Sequence, residues 1–513
     1  MTERAKGKVW LVGAGPGAFE LITLGGADAM RRADVVIYDH LVNDQLLELA
    51  PAGADLIYAG KKGGSAASLT QDEINRLLVD HAQAGKRVVR LKGGDPSIFG
   101  RSGEEMAALA GAGIEFEVVP GVSAAIAAPA FAGIPLTHRD YGSFVTFVTG
   151  HERRTKPIGA ALPWRELARA TAQGGSLVLL MAHARMGELM AGLVQHGMDP
   201  QTPAAIIQSA TTAAQKTVVA TVATLEEAAR AAGLETPTVI VVGPCVQLSA
   251  QLRWFERRPL FGRRIVITRA REKASGLARE LAQMGAQVIP LPAIATAEPD
   301  SYAKLDSALT RLGEFDWVIF TSAVGVACFI ARLAHLNRDV RELGTARIAA
   351  IGPATASRLR ACGLKVAAMP PQYRSEAIVE ALGETQIRGA RILLPRAQAG
   401  GQTLPELLKA RGARVVEDVP SYKTVQPAGW RAKRIVEAVK ARPPDIVTFT
   451  SPSTAINFSE MFGPQAVGFK AAAIGPVTAA ACRKLGYDVV VEAREHTIGG
   501  LIRAIGDYFS APA

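Results

Sequence analysis

Along the first half of the chain, short apolar runs alternate with stretches whose apolar residues recur at helical spacing. Runs at 9–12, 35–38, 56–58, 88–91 and 116–119 read as buried strands. A second series follows at 144–149, 177–181, 204–208 and 239–242, with a boundary near residue 140. Strands alternating with helices argue for a largely parallel sheet. One helix is marked at both ends in "TQDEINRLLVDHAQAG". Thr70 and Glu73 make a capping box, and Gly85 closes it. Ile74, Leu77, Leu78 and His81 share a face there, which makes His81 a packing residue.

The second half opens after "RWFERRPLFGRR" and contains an internal duplication. "GRRIVITRAREKASGLARELAQMGAQVIPLPAI" resembles "GARILLPRAQAGGQTLPELLKARGARVVEDVPSY". "FDWVIFTSAVGVACF" matches "PDIVTFTSPSTAINF", and "ARIAAIGPATASRLRACG" matches "FKAAAIGPVTAAACRKLG". The offset stays near 120–130 residues, so each copy reads as one α/β unit, and two similar lobes should face a cleft. Each copy places Thr-Ser (Thr321 and Ser322; Thr450 and Ser451) and Gly-Pro-x-Thr (Thr355; Thr478) between a strand and a helix. A hydroxyl there caps the helix, and the same geometry suits carboxylate ligands.

With 513 residues, the chain is too long for a single core. Its four cysteines are scattered and lack metal or disulfide spacing. No apolar run approaches the roughly 18 residues of a membrane span, and no signal peptide is visible. The expectation is a cytoplasmic protein without metal. The net charge of +11 is unevenly placed. Residues 1–262 carry 25 basic and 25 acidic side chains, whereas 263–513 carry 33 and 22. The basic residues form no long run and do not alternate with aromatics, which argues against nucleic acid. A small polyanion is the sharper partner, and a solvated basic surface the plainer reading.

The first strand runs into "VGAGPGAFE", where Gly13, Gly15 and Ala18 satisfy the dinucleotide fingerprint, and Asp39 ends the next strand. A nicotinamide oxidoreductase is therefore one reading. However, glycine-rich segments also follow at "YAGKKGG", "RLKGGDPSIFGRSGEE" and "VVPGVSAAIAAPAFAGIPLTHRDYG", so a ligand would lie across several strand ends. Pro16 also removes an amide from the opening turn.

"GAGPG", "YDHLV", "GKK", "VVRLKGGDPSIFGRSGEE", "PGVSAA" and "GIPLTHRDY", in that order, resemble the tetrapyrrole methylases over about residues 7–255, specifically uroporphyrinogen-III C-methyltransferase. The resemblance implies S-adenosylmethionine near Pro16, Gly93, Gly94, Asp95, Ile98, Ser123, Ala124, Met181 and Ala210. It also implies a homodimer through this half. Met181 reads equally as a core residue. Relatives often have Gly where this chain has Ala210, so contact there would be through backbone. Asp39 and Lys61 match the family's proposed acid/base positions, and Arg139 would clamp a substrate carboxylate, against a plain Arg139–Asp140 pair.

Residues 262–510 resemble uroporphyrinogen-III synthase, through the duplicated "FTS" and "IGP-x-T" blocks and "PSYKT". Tyr422 matches the tyrosine proposed to assist loss of hydroxyl from hydroxymethylbilane; otherwise it is a packing residue. Together the resemblances imply a methyltransferase at 1–256, with subdomains near 1–140 and 141–256, then a linker at 257–262. The synthase follows at 263–513, with lobes of about 263–297 plus 425–513 and about 298–424. They further imply tetrapyrrole substrates and a bifunctional path to precorrin-2, on the sirohaem or cobalamin branch. The rival readings are an NAD(P)-dependent oxidoreductase and a non-enzymatic tetrapyrrole-binding protein.

Overall fold

The computed structural model describes residues 7–60, 69–150, 162–269, 271–372, 374–425 and 430–511. Among them, helices and strands alternate throughout, and the strands form four five-stranded sheets, so the fold is α/β as the patterning predicts. The chain separates into two compact units, one built mainly on Met1–Ile265 and the other on Ile289–Ile505.

The first sheet joins β1 (Lys8–Gly13), β2 (Val35–Tyr38), β3 (Asp55–Tyr58), β4 (Val88–Lys92) and β5 (Glu115–Val119). Its order is β3-β2-β4-β1-β5, with every neighbour parallel. β2 and β4 are wholly buried, which is why they read as unbroken apolar runs apart from Arg90 and Lys92. Because the strands are parallel, the segments after β1, β2, β4 and β5 all emerge along one edge. Open α/β sheets bind ligands at that edge. The helix Gln71–Gln83 packs on this sheet through Ile74, Leu78 and Ala82, with the Thr70–Glu73 capping box formed.

The second sheet contains β6 (Val145–Thr149), β7 (Ser176–Leu180), β8 (Pro203–Gln208), β9 (Lys216–Thr221) and β10 (Thr238–Val242), in the order β6-β7-β10-β8-β9. Only β6 and β7 are parallel; the other pairs are antiparallel. The expected parallel arrangement therefore holds for the first sheet and fails for the second. The link from β8 to β9 is too short for the dozen or more residues of a parallel crossover. β9 itself escapes the apolar pattern, because its residues are at most half-buried.

The C-terminal sequence forms the other two sheets from β11 (Arg264–Ile267), β12 (Gln287–Pro290), β13 (Ala295–Ala297), β14 (Trp317–Phe320), β15 (Arg347–Ala350), β16 (Arg391–Ala397), β17 (Val415–Val425), β18 (Ile446–Phe449), β19 (Lys470–Ala473) and β20 (Asp488–Glu492). Their orders are β12-β11-β18-β19-β20 and β13-β17-β16-β14-β15. Omitting β20 and β13, the two orders are the same path through the duplicated segments. The sequence repeats are nevertheless not the spatial units. β11 of the first copy pairs with β18 of the second, and β16 of the second pairs with β14 of the first, so each sheet mixes strands of both copies. The expectation that each copy is one α/β unit is corrected accordingly. The packing repeats too: Phe320 meets Phe329 edge-on at 5.3 Å between centroids, and Phe449 meets Phe458 at 5.6 Å.

Ahead of β2 and β4, Asp34 accepts bonds from the Arg87 backbone N–H at 2.9 Å and from its guanidinium at 2.7 and 3.1 Å. The guanidinium holds this carboxyl down at about 2. A depressed folded value stabilises above the unfolded value of about 4, and that contribution is lost as pH falls through about 2. Both side chains are partly exposed, so Asp34→Asn should cost no more than about 1 kcal/mol at neutral pH. The difference in urea midpoint should fade between about pH 4 and pH 2. A difference that stayed constant over that range would refute the assignment.

Candidate active sites

The opening glycines are held by other backbone. A Cβ on Gly13 would lie 2.5 Å from the Gly121 Cα and 2.7 Å from the Gly94 carbonyl oxygen; one on Gly121 would lie 2.3 Å from that oxygen. Gly15 and Gly94 exchange backbone hydrogen bonds of 3.2 and 2.8 Å. The Ala14 amide donates to the Lys92 carbonyl at 2.8 Å, and Pro16 has no N–H. Positions 14–16 thus keep no free amide for a pyrophosphate, and the turn leads only into the short 3-10 helix Phe19–Leu21, both of which count against the dinucleotide reading. Asp95 completes the junction, accepting from the Ser97 amide at 2.8 Å and the Gly121 amide at 2.9 Å.

The remaining candidate cofactor positions surround this floor. Gly94 is left-handed, at φ +71°, and Gly93 sits close against Leu41. Ser123 is buried and caps the helix Ala124–Phe131, its hydroxyl accepting from the Ala125 amide. Ala124 and Pro16 are half-buried, whereas Ile98 is exposed. Thr211 ties a second loop to the opening turn by accepting from the Ala18 amide at 3.0 Å. The Ala210 carbonyl lies 3.2 Å from where a Gly17 Cβ would be, so Ala210 faces the turn through backbone.

Six described non-glycine residues have left-handed φ, and five belong to this half: Phe99, Arg101, Met181, Ser209 and Thr211. Such residues cost of order 1–3 kcal/mol and persist where surrounding structure imposes them, commonly at ligand sites. Met181 is also 52% exposed, so it is no core residue. β10 runs antiparallel to both β7 and β8, which brings Met181 and Ser209–Thr211 to the same end of the second sheet.

Asp39 follows β2 and is held by Arg90, whose Nη2 lies 2.5 Å from Oδ1. Arg90 also donates through Nε to Glu105 Oε1 at 3.0 Å, and Lys92 Nζ reaches the same oxygen at 2.8 Å. Burial, helped by Arg90, pushes the Lys92 ammonium below its usual range against the pull of Glu105. These three charged partners were missed at the sequence level. The available signal was two cations inside an otherwise apolar strand, "VVRLK". Arg139 is exposed and forms no ion pair with Asp140 among the described residues; the Asp140 amide instead donates to His138. Lys61 lies outside the described residues.

In the C-terminal half, the two serines are helix caps. Ser322 accepts from the Gly325 amide at 2.9 Å, and Ser451 accepts from the Thr454 amide at 3.4 Å. Thr321 and Thr450 are half-buried, whereas Thr355 and Thr478 are buried in the first turns of their helices. Tyr422, on β17, places its hydroxyl 3.0 Å from Ser322 Oγ. Burial pushes the phenol up, partly opposed by the Ser322 bond, so it stays protonated and able to donate at neutral pH. A cavity of about 530 Å³ bordered by Trp317, Arg347 and Arg388 opens at the other end of β14 and β15, away from this pair.

Residues 8–226 match the family model described as tetrapyrrole (corrin/porphyrin) methylases, and residues 275–503 match that of uroporphyrinogen-III synthase HemD. The class is that of a tetrapyrrole biosynthesis enzyme made of two parts. The porphyrin biosynthesis protein HemD of Ruminiclostridium josui is 35% identical over 497 residues, covering 97% of each chain. The chain belongs to this family, in which a tetrapyrrole methylase is fused to a uroporphyrinogen-III synthase. It is also 37% identical to the uroporphyrinogen-III C-methyltransferase of Bacillus subtilis, over 73% of this chain and 75% of that one. A solved uroporphyrin-III C-methyltransferase from Thermus thermophilus, complexed with S-adenosyl homocysteine, is 38% identical, covering 47% of this chain and all of that one, with a TM-score of 0.39.

Gly121→Ala should destabilise the N-terminal half by about 1–3 kcal/mol or more, because the added methyl meets a backbone oxygen that cannot rotate away. Urea denaturation reports the loss; an unchanged midpoint would mean the junction is looser than described.

Proposed function

We propose that the C-terminal half cyclises hydroxymethylbilane to uroporphyrinogen III, and that the N-terminal half methylates this product twice, using S-adenosylmethionine, to give precorrin-2. One observation carries the methylase reading: the bare-backbone floor of Gly13, Gly94 and Gly121 lies at a sheet edge whose turn is joined by the left-handed Thr211. Small residues there leave room close to the main chain. A Cβ on Gly94 would meet nothing nearer than 3.6 Å.

S-adenosylmethionine supplies an electrophilic methyl group when bound. Pro16, Gly93, Gly94, Asp95, Ile98, Ser123, Ala124, Met181 and Ala210 would hold it. Both Asp95 oxygens already accept backbone amides, so a ligand donor would use their remaining lone pairs. Asp39 would accept the proton released from the methylated pyrrole carbon, with Lys61 as its acid/base companion. The guanidinium of Arg139, unpaired among the described residues, suits a substrate carboxylate. Holding the reacting groups in line can contribute about 7–11 kcal/mol of the barrier reduction.

In the synthase half, Tyr422 would donate to the departing hydroxyl of hydroxymethylbilane, aligned by Ser322. Thr321, Thr355, Thr450, Ser451 and Thr478 would bind substrate carboxylates through hydroxyls and helix-start amides. The excess positive charge of 263–513 favours capture of a polycarboxylate. We assign the methyltransferase to 1–256, with subdomains near 1–140 and 141–256, the linker to 257–262 and the synthase to 263–513. Its lobes would be about 263–297 plus 425–513 and about 298–424. A homodimer would form through the methyltransferase half. No helix among the described residues is long and apolar enough to cross a membrane, and no cluster of three or more potential metal ligands occurs among them.

Incubating the chain with hydroxymethylbilane and S-adenosylmethionine and weighing the products should reveal uroporphyrinogen III and then a species two methyl groups heavier. Tight nicotinamide binding without S-adenosylmethionine binding, or ligand binding without turnover, would overturn the proposal. Asp39→Asn should slow methylation by about 100-fold or more at unchanged cofactor affinity. Tyr422→Phe should slow cyclisation, and an unaffected rate would reduce Tyr422 to packing.

A further inference from the structure

Four charged side chains form a line from the interior of the first sheet to its ligand-binding edge. Glu105 is completely buried, and Arg90 and Lys92 are 2% and 3% exposed. Only Asp39, with 29% of its side chain exposed, reaches the surface. Arg90 is the central member. Its Nη2 holds Asp39 at 2.5 Å, its Nε is fixed by Glu105 at 3.0 Å, and its Nη1 lies 3.4 Å from the Ile37 carbonyl and 3.5 Å from that of Leu91. Glu105 Oε1 receives Arg90, Lys92 at 2.8 Å and Gln71 at 3.5 Å, while Oε2 is buried without a partner among the described residues.

This is a poor arrangement for stability alone. Burying ions costs several kcal/mol each, often no less than their mutual attraction returns, and apolar residues of similar volume commonly do as well. The unpartnered carboxylate oxygen adds a further cost of about 1–3 kcal/mol or more. What the arrangement does provide is direction. Lys92 and Glu105 sit on rigid elements and leave the guanidinium one orientation, and that orientation fixes the single carboxylate that faces outward. Strand and helix supports place such a group more accurately than a loop would.

We infer that Arg90 is a positioning residue for methyl transfer, with Glu105 as its anchor: together they aim the Asp39 carboxylate at the edge where the substrate binds. The inference rests on the proposed role of Asp39 in methylation and assigns Arg90 no contact with substrate. A lysine at position 90 would keep the charge but not the fork that spans two carboxylates.

The test is a double-mutant cycle on the full-length chain with uroporphyrinogen III and S-adenosylmethionine. Arg90→Lys should lower kcat by about ten-fold or more, with S-adenosylhomocysteine affinity by calorimetry unchanged within about two-fold. In an Asp39→Asn background the same change should cost less than about two-fold, because the group Arg90 aims is already gone. Independent, multiplying effects would show that Arg90 acts on the structure and not through Asp39, and would overturn the inference. So would an unchanged kcat in the single variant. If Arg90→Lys loses S-adenosylhomocysteine binding through misfolding, Glu105→Gln takes its place in the cycle, with the same outcomes deciding. A wild-type chain that fails to methylate uroporphyrinogen III would instead overturn the proposed function on which the inference rests.

Discussion

The N-terminal half depends on a contact between three pieces of main chain. A Cβ on Gly13 or Gly121 would collide with the Gly94 carbonyl, and the Asp95 carboxylate fastens two of the segments by accepting the Ser97 and Gly121 amides. The opening turn is set by the Gly15–Gly94 pairing, and the Thr211 loop is joined to that turn. Rigid backbone is an inexpensive way to shape a ligand site, because it loses no rotamer freedom on binding. The strain of Met181, Ser209 and Thr211 is the complementary cost, sustained by the sheet beneath them.

The C-terminal half solves a different problem. Its two sheets repeat one strand order, yet each draws strands from both copies of the sequence repeat, which binds the copies together. The chemistry is less symmetric than the frame. Ser322 and Ser451 cap equivalent helices, but among the described residues only Ser322 has a phenol bonded to it. Arg396 is likewise locked bidentately on Asp418, whereas burial pulls the guanidinium of its counterpart Arg269 below its usual range. The duplicated scaffold thus carries different side-chain pairings in its two copies.

Much of this was legible in the sequence. Buried strands announce themselves when they are continuously apolar, and nine of the first ten appear where the pattern puts them. β9 did not, because a half-exposed edge strand such as "KTVVAT" carries little contrast between its faces. Strand direction was also hidden, since it depends on loop length and pairing, which periodicity does not encode. At the site, the glycines were found for an incomplete reason. Their spacing fits a dinucleotide turn, but Gly13 is required by backbone about 80 and 108 positions away, and Gly15 by its left-handed φ and the Leu21 carbonyl. The Arg90–Glu105–Lys92 cluster was overlooked because charge within a strand becomes informative only when both faces of the sheet are covered. Met181 followed the opposite course, from a plausible core residue to an exposed, strained one.

The glycine junction also limits how the molecule can diverge. Segments that touch through side chains can be altered one at a time, since a neighbour has rotamers with which to adapt. Segments that touch through bare main chain have none, so 13–17, 92–101 and 119–123 can be inherited or exchanged only as a set. Positions beside the junction whose side chains face solvent, such as Arg139 and Asp140, carry no such constraint.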